Sequence, residues 1–207
     1  NAYGHGIERV YDAFKSADGF ALLDIAEAKG IRALGWQGKI LLLEGIFSAY
    51  DLNDCAEFNL SFTVHRTYQV AWLEQFSKLH ADSIKFDIFL KMNSGMNRLG
   101  FQSDEYQDVW QKLKVLEWIE SITHMTHFSD ADGERLGQSG VEYQIALFNT
   151  TIQGLAGACS VSNSAAILRH SKQLHSDVVR SGIMLYGSSP DYPTHSIHGW
   201  NLKPTMS

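Results

Sequence analysis

The most constraining feature of this chain is its rhythm: short runs rich in Val, Ile, Leu and Phe alternate with amphipathic stretches of roughly 10 to 17 residues. Parallel sheets are written this way, because each strand needs a crossover long enough to bring the chain back to the same end. Strands are expected over 20–25, 39–46, 60–65, 84–92, 119–127, 158–162 and 178–186. Helices are expected over 6–16, 68–81, 104–118 and 141–154, where apolar residues recur every three or four positions, as Trp72, Phe76 and Leu79 do. These stripes read as core faces rather than as part of a binding site. The first helix opens almost at Asn1 with no strand before it, so the pattern suits an eight-stranded α/β barrel whose first strand is missing. Such barrels take about 250 residues, and an open doubly wound sheet stays open as the other reading of the pattern.

Composition removes several functions. The 207 residues are 44% hydrophobic and 19% charged, the balance of an ordinary globular domain. Seventeen Lys and Arg against 23 Asp and Glu leave a net charge of −6, which argues against a nucleic-acid partner. No apolar run approaches the roughly 20 residues of a membrane span. Cys55 and Cys159 are too few for a disulfide framework, and no secretory leader follows Asn1, so a cytoplasmic location is expected. All three prolines, Pro190, Pro193 and Pro204, sit near the end of the chain. They divide an expected barrel domain over 1–188 from a linker and the opening of a second domain over 189–207.

In a barrel, chemistry gathers where strands end, and five segments there carry unusual polar residues: 1–6, 91–100, 124–128, 161–166 and 180–187. In NAYGHG, Tyr3 suits a helix start and the glycines suit a turn. His124 and His127 lie three apart, on opposite faces of a strand, so one metal would not take both, and no metal site is expected. VSNSAAIL places hydroxyls and an amide ahead of a helix, with Ser164 read as its N-cap; the same arrangement suits an anion. VRSGIMLYGSSP sets Gly182 after Arg180, a second place where backbone can approach a phosphate. Lys91 and Arg98 flank the glycine turn of KMNSGMNRLGF. They read as surface cations, except that Lys91 follows the apolar FDIFL and would point toward a barrel mouth, where a lysine needs a partner or a modification.

Taken in order, NAYGHG, LKMNSGMNRLGF, THFSDAD, SNSAA and VRSGIMLYGSSP resemble the signatures of bacterial alanine racemases across essentially the whole chain. The resemblance implies a TIM (β/α)8 barrel of the fold-type III pyridoxal-phosphate enzymes, followed by a β domain, in a homodimer that interconverts L- and D-alanine for peptidoglycan. It implies that Tyr3 and Ser164, with the backbone of Gly182 and Ile183, hold the cofactor phosphate. Arg180 would face the pyridine nitrogen and, being unable to accept a proton, would leave that nitrogen unprotonated and weaken the electron sink. His127 would orient Arg180. Lys91 would be carbamylated and pair with Arg98, which would hold the substrate carboxylate.

Two departures accompany the match. The family usually has Asp where Asn93 stands. The Schiff-base lysine and the catalytic tyrosine, one base for each face of the substrate, are expected to lie outside the chain, before Asn1 and after Ser207, so the 207 residues alone are expected to be inactive. Two other classes fit the same features: a non-catalytic pyridoxal-phosphate-binding barrel that manages cofactor supply, and a racemase for another small amino acid such as serine. A basic amino-acid decarboxylase would place an acid where Arg180 stands.

Overall fold

The computed structural model of the protein describes residues 2–76, 84–134, 136 and 140–203. Strands and helices alternate: α1 (Ile7–Phe14), β1 (Gly19–Leu22), α2 (Ile25–Ala33), β2 (Lys39–Leu42), α3 (Asp51–Glu57), β3 (Ser61–Val64), α4 (Thr67–Phe76), β4 (Phe86–Lys91), α5 (Ser103–Lys114), β5 (Ile119–Met125), α6 (Val141–Ile152), β6 (Cys159–Ser160) and α7 (Ser164–His170). The strands form one sheet in the order β1-β2-β3-β4-β5-β6. β1 to β4 pair in parallel, as do β5 and β6. All four residues of β3 and all but one of β4 are buried, as expected of strands covered on both faces. Phe62, Ile88 and Leu90 have no exposed surface, and each contributes roughly 1.5–3 kcal/mol of burial.

Two compact units divide the chain. The first comprises 1–90 with 109–122, and the second 91–108 with 123–207. In the first, Arg32 is the main polar fixture. Its Nε donates to the Phe58 carbonyl (2.8 Å), Nη1 to those of Trp36 (2.9 Å) and Gly38 (2.8 Å), and Nη2 to that of Asn59 (2.9 Å). One side chain thereby fastens the turns that enter β2 and β3. In the second unit, Tyr106 is fully buried and its hydroxyl meets Nδ1 of the equally buried His124 at 3.0 Å.

Three sequence expectations are corrected in detail. No strand forms over 178–186: a bent segment leads into a 3-10 turn at Ile183–Tyr186. Backbone bonds from Val178 N to Cys159 O and Arg180 N to Ser162 O begin a ladder. It stops because the hydroxyls of Ser160 and Ser176 take the Val178 carbonyl, and Arg180 itself takes that of Ser160. Two short helices, α2 and α3, lie where no helix is expected, α7 follows the helix start expected at VSNSAAIL, and the expected helix over 68–81 begins at Thr67, its residues 77–81, including Leu79, falling outside the described ones. The N-cap of α7 is Asn163, whose Oδ1 accepts from Ala166 N at 3.0 Å, and not Ser164. Asn1 and the 204–207 end of the presumed second-domain opening are likewise outside the described residues. No helix among the described residues is long and apolar enough to cross a membrane.

Candidate active site

Within the second unit, the ends of β4, β5 and β6 present polar groups together, each fixed by a local device. β4 ends on Lys91, only 6% exposed. The loop beyond it closes on itself: Phe101 N donates to Lys91 O and Asn93 N to Phe101 O, both at 2.9 Å. Gly100 stands at this crossing with φ +126°, where a Cβ would lie 2.6 Å from Asn93 N, so only glycine lets the two ends meet. Inside the loop, Asn93 Oδ1 accepts from Gly95 N (3.2 Å) and Asn97 N (2.9 Å), while its Nδ2 donates to Asn97 Oδ1 (3.0 Å). An aspartate has no such donor, so the departure at position 93 builds a link of its own. Arg98, the next residue, is exposed.

Just past β5, Thr126 and His127 follow. The Thr126 hydroxyl donates to Met92 O (3.0 Å) and lies 2.7 Å from that of Ser94. Its carbonyl accepts from Arg180 Nη2 (2.6 Å), and Arg180 Nη1 donates to the carbonyl (2.7 Å) and hydroxyl of Ser160. A guanidinium has five N–H groups. Three are used here, so Nε–H and one Nη2–H donate to no described residue. Burial lowers the Arg180 pKa to about 10, leaving it cationic at neutral pH. No carboxylate pairs with it among the described residues.

His127 is held neutral, its pKa lowered to about 4, first by burial and then by Arg180, Lys91 and Arg98. Those three cations therefore act on one ring. Its Nε2 lies 3.4 Å from Asn163 Nδ2. Because Asn163 Oδ1 is committed to capping α7, the amide cannot turn over; Nδ2 donates, Nε2 accepts, and the ring proton resides on Nδ1. The hydrogen bonds that hold Arg180 come from Thr126 and Ser160, neither of which sequence reasoning singled out, rather than from His127.

Of the predicted phosphate residues, Ser164, Gly182 and Ile183 come together. Ser164 Oγ accepts from Gly182 N at 2.9 Å and reaches Met184 N at 3.5 Å. Between them Ile183 opens the 3-10 turn, so its N–H has no partner in that turn. Tyr3 belongs to the first unit, in the 3-10 turn Ala2–Gly4, two-thirds exposed with φ 56°. His124 is a satisfied core histidine, with Tyr106 on Nδ1 and the Ala156 carbonyl 3.3 Å from Nε2.

In the segment expected to be a linker, several side chains gather around Asp191. Its buried carboxylate accepts from Arg169 (2.8 Å), His195 (2.6 Å), Trp200 (2.7 Å) and Ser189 (3.0 Å). Burial raises its pKa, but those four hydrogen bonds outweigh burial and hold it below the ordinary carboxylate range. Ser189, His195 and Trp200 lie within nine residues of Asp191, but the charged partner, Arg169, is 22 residues away.

Residues 1–190 match the family model described as alanine racemase, N-terminal domain. The chain belongs to the alanine racemase family. It is 64% identical over its whole length to an alanine racemase of Acinetobacter baumannii (strain SDF), covering 55% of that protein, and 50% identical to one of Variovorax paradoxus (strain S110), covering 54%. The chain thus spans about half the length of these curated relatives. Among solved structures, 99% of it superposes on the biosynthetic alanine racemase of Pseudomonas aeruginosa with a TM-score of 0.89 and 34% identity, over 55% of that chain. The alanine racemase of Acinetobacter baumannii gives 0.88 and 33%, over 58% of its chain. Membership makes the fold class the α/β TIM barrel expected from the strand and helix rhythm.

Proposed function

We propose that this chain is the cofactor-holding barrel of an alanine racemase that interconverts L- and D-alanine, supplying D-alanine for peptidoglycan, in a cytoplasmic homodimer. The observation that carries the reading is Arg180: a half-buried cation anchored by neutral groups, with two N–H groups left over and no carboxylate against it among the described residues. Pyridoxal phosphate, when bound, supplies an electron-withdrawing ring that acidifies an amino acid's α-proton. The donor set suits that group. The Ser164 hydroxyl and the N–H of Ile183, with the backbone of Gly182 beside them, would hold the phosphate, and Arg180 would offer a donor, not an acceptor, to the ring nitrogen. His127, neutral and fixed by Asn163, adds no positive charge beside Arg180. Arg98 would bind the substrate carboxylate.

Lys91 is proposed to be carbamylated: its neutral amine adds to the carbon of carbon dioxide, an N–C bond forms and one proton leaves. A buried anion then sits among cations, where a buried ammonium would oppose them. The relatives do not favour a cofactor carrier without turnover.

The test is chiral analysis of alanine incubated with the intact protein and pyridoxal phosphate. Racemisation in both directions is expected, with Arg98→Ala raising the KM for alanine. An intact protein that retains the cofactor yet leaves both enantiomers unchanged would overturn the reading. For Lys91, a carbamate carbon signal after equilibration with 13C-bicarbonate, absent in Lys91→Ala, is expected.

A further inference from the structure

Thr126 does two things at once. Its carbonyl holds Arg180 Nη2 at 2.6 Å, and its hydroxyl reaches across to the loop that carries Lys91 and Arg98. The direction of that second link is fixed. Thr126 Oγ1 donates its one proton to the Met92 carbonyl at 3.0 Å, so the 2.7 Å contact with Ser94 Oγ must be a bond that Thr126 accepts. Ser94 is 2% exposed and Thr126 has no exposed surface, so water does not replace either bond. Met92 N closes the connection by donating to Met125 O at 2.8 Å. The loop is therefore anchored at its root, by Met92, and again three residues beyond Lys91, by Ser94. Both anchors run to the residue that fixes Arg180.

We propose that Thr126 is a positioning residue that sets the Lys91–Arg98 loop against Arg180, so that the group binding the substrate carboxylate and the group facing the cofactor ring keep one spacing. This rests on the racemase reading above. Loss of the hydroxyl frees the loop while leaving the carbonyl on Arg180, so carboxylate binding should weaken and the cofactor's surroundings should not. Valine matches threonine in shape without the hydroxyl, and serine keeps the hydroxyl.

The experiment compares Thr126→Val, Thr126→Ser, Ser94→Ala and a control, Thr151→Val, in the intact, cofactor-loaded protein. Thr151 is buried in α6 and bonds only its own helix through its hydroxyl, to Leu147 O. The readouts are the Kd of propionate, which is alanine without its amino group, the KM and kcat for alanine, and the cofactor's absorbance spectrum. Thr126→Val should raise both the propionate Kd and the KM about 5-fold, the equivalent of one buried hydrogen bond. It should leave kcat within about twofold and the spectrum unchanged. Thr126→Ser should restore wild-type values, and Thr151→Val should not alter propionate binding. A wild type that binds propionate and racemises alanine, with Thr126→Val binding propionate no more weakly than Thr151→Val does, overturns the positioning role alone. A wild type that does neither overturns the racemase reading and this proposal with it. Should Thr126→Val fail to fold, Ser94→Ala decides: about a twofold rise in the propionate Kd is expected, and no rise overturns the proposal.

Discussion

Two arginines, Arg32 in the first unit and Arg180 in the second, are both held by backbone carbonyls, yet one serves turns that enter strands, the other residues where strands end, and they are finished differently. Arg32 spends four N–H groups on four carbonyls of the turns that enter β2 and β3. Arg180 spends three, at the exits of β5 and β6, and keeps two. A guanidinium with four of its five donors spent on carbonyls is a fastener. One that keeps two in reserve where strands end is held ready for something else, and the exits of barrel strands are where such groups collect. Asp191 belongs with Arg32: four donors meet its carboxylate and one of them is a cation. What separates structural from functional charge in this molecule is how completely it is satisfied, since all three groups are withdrawn from water to some degree.

The comparison ranks the consequences of breaking each network. Asp191→Ala should be the costliest for stability, about 3–5 kcal/mol by urea unfolding, because it strands Arg169 beside a cavity. Arg32→Ala should cost about 2–4 kcal/mol by the same measure, since the two turns lose their shared donor. If Arg180→Met proves more destabilising than either, the distinction between fastener and reserve collapses.

Acid should weaken the second unit through His127. The unfolded chain takes up the imidazole proton near the ordinary value of 6.5, whereas the folded chain resists until about 4. Stability is therefore flat above pH 6.5 and falls as pH drops toward 4, by at most roughly 3 kcal/mol. His127→Asn should flatten that slope in a series of thermal melts. His124, whose pKa burial also lowers, retains a smaller slope of the same sign. Arg180→Met should be the mildest of the four for folding, about 1–2 kcal/mol for the carbonyls left bare, while shifting the absorbance of bound pyridoxal phosphate. A spectrum identical to wild type would place Arg180 with the fasteners.

Much of the frame was legible in the sequence because buried parallel strands are near-continuous apolar runs. All six strands lie within the expected ranges or begin one residue earlier, and FDIFLK over Phe86–Lys91 is the clearest. Helices α3 and α7 are seven residues each, too short for periodicity to show. For α2 the signal is a cap rather than a stripe: Asp24 precedes the helix and caps it through Ala26 N, with Glu27 three residues on. The 178–186 run misled because Val178, Val179 and Ile183 look like a strand, while the serines that take over the backbone partners lie at 160 and 176. At the site, the cations and Ser164 were readable as motif residues. Thr126 and Ser160 were not, because each acts through a hydrogen bond to something distant in sequence, and no spacing rule reports that; Asn163 caps α7 locally, but its contact with His127 spans 36 residues.

The loop between Lys91 and Phe101 is pinched shut where Gly100 passes Asn93. Surface loops ordinarily absorb insertions and deletions, and much of the diversification of enzymes proceeds that way. A ring whose two ends share backbone bonds has no slack: an added residue must bulge within positions 94–99, beside Arg98, or open the pinch and dislodge Lys91. Descendants of this sequence can therefore exchange letters in the loop far more readily than they can alter its length, and changes in substrate preference have to arise by substitution there or from elsewhere in the protein.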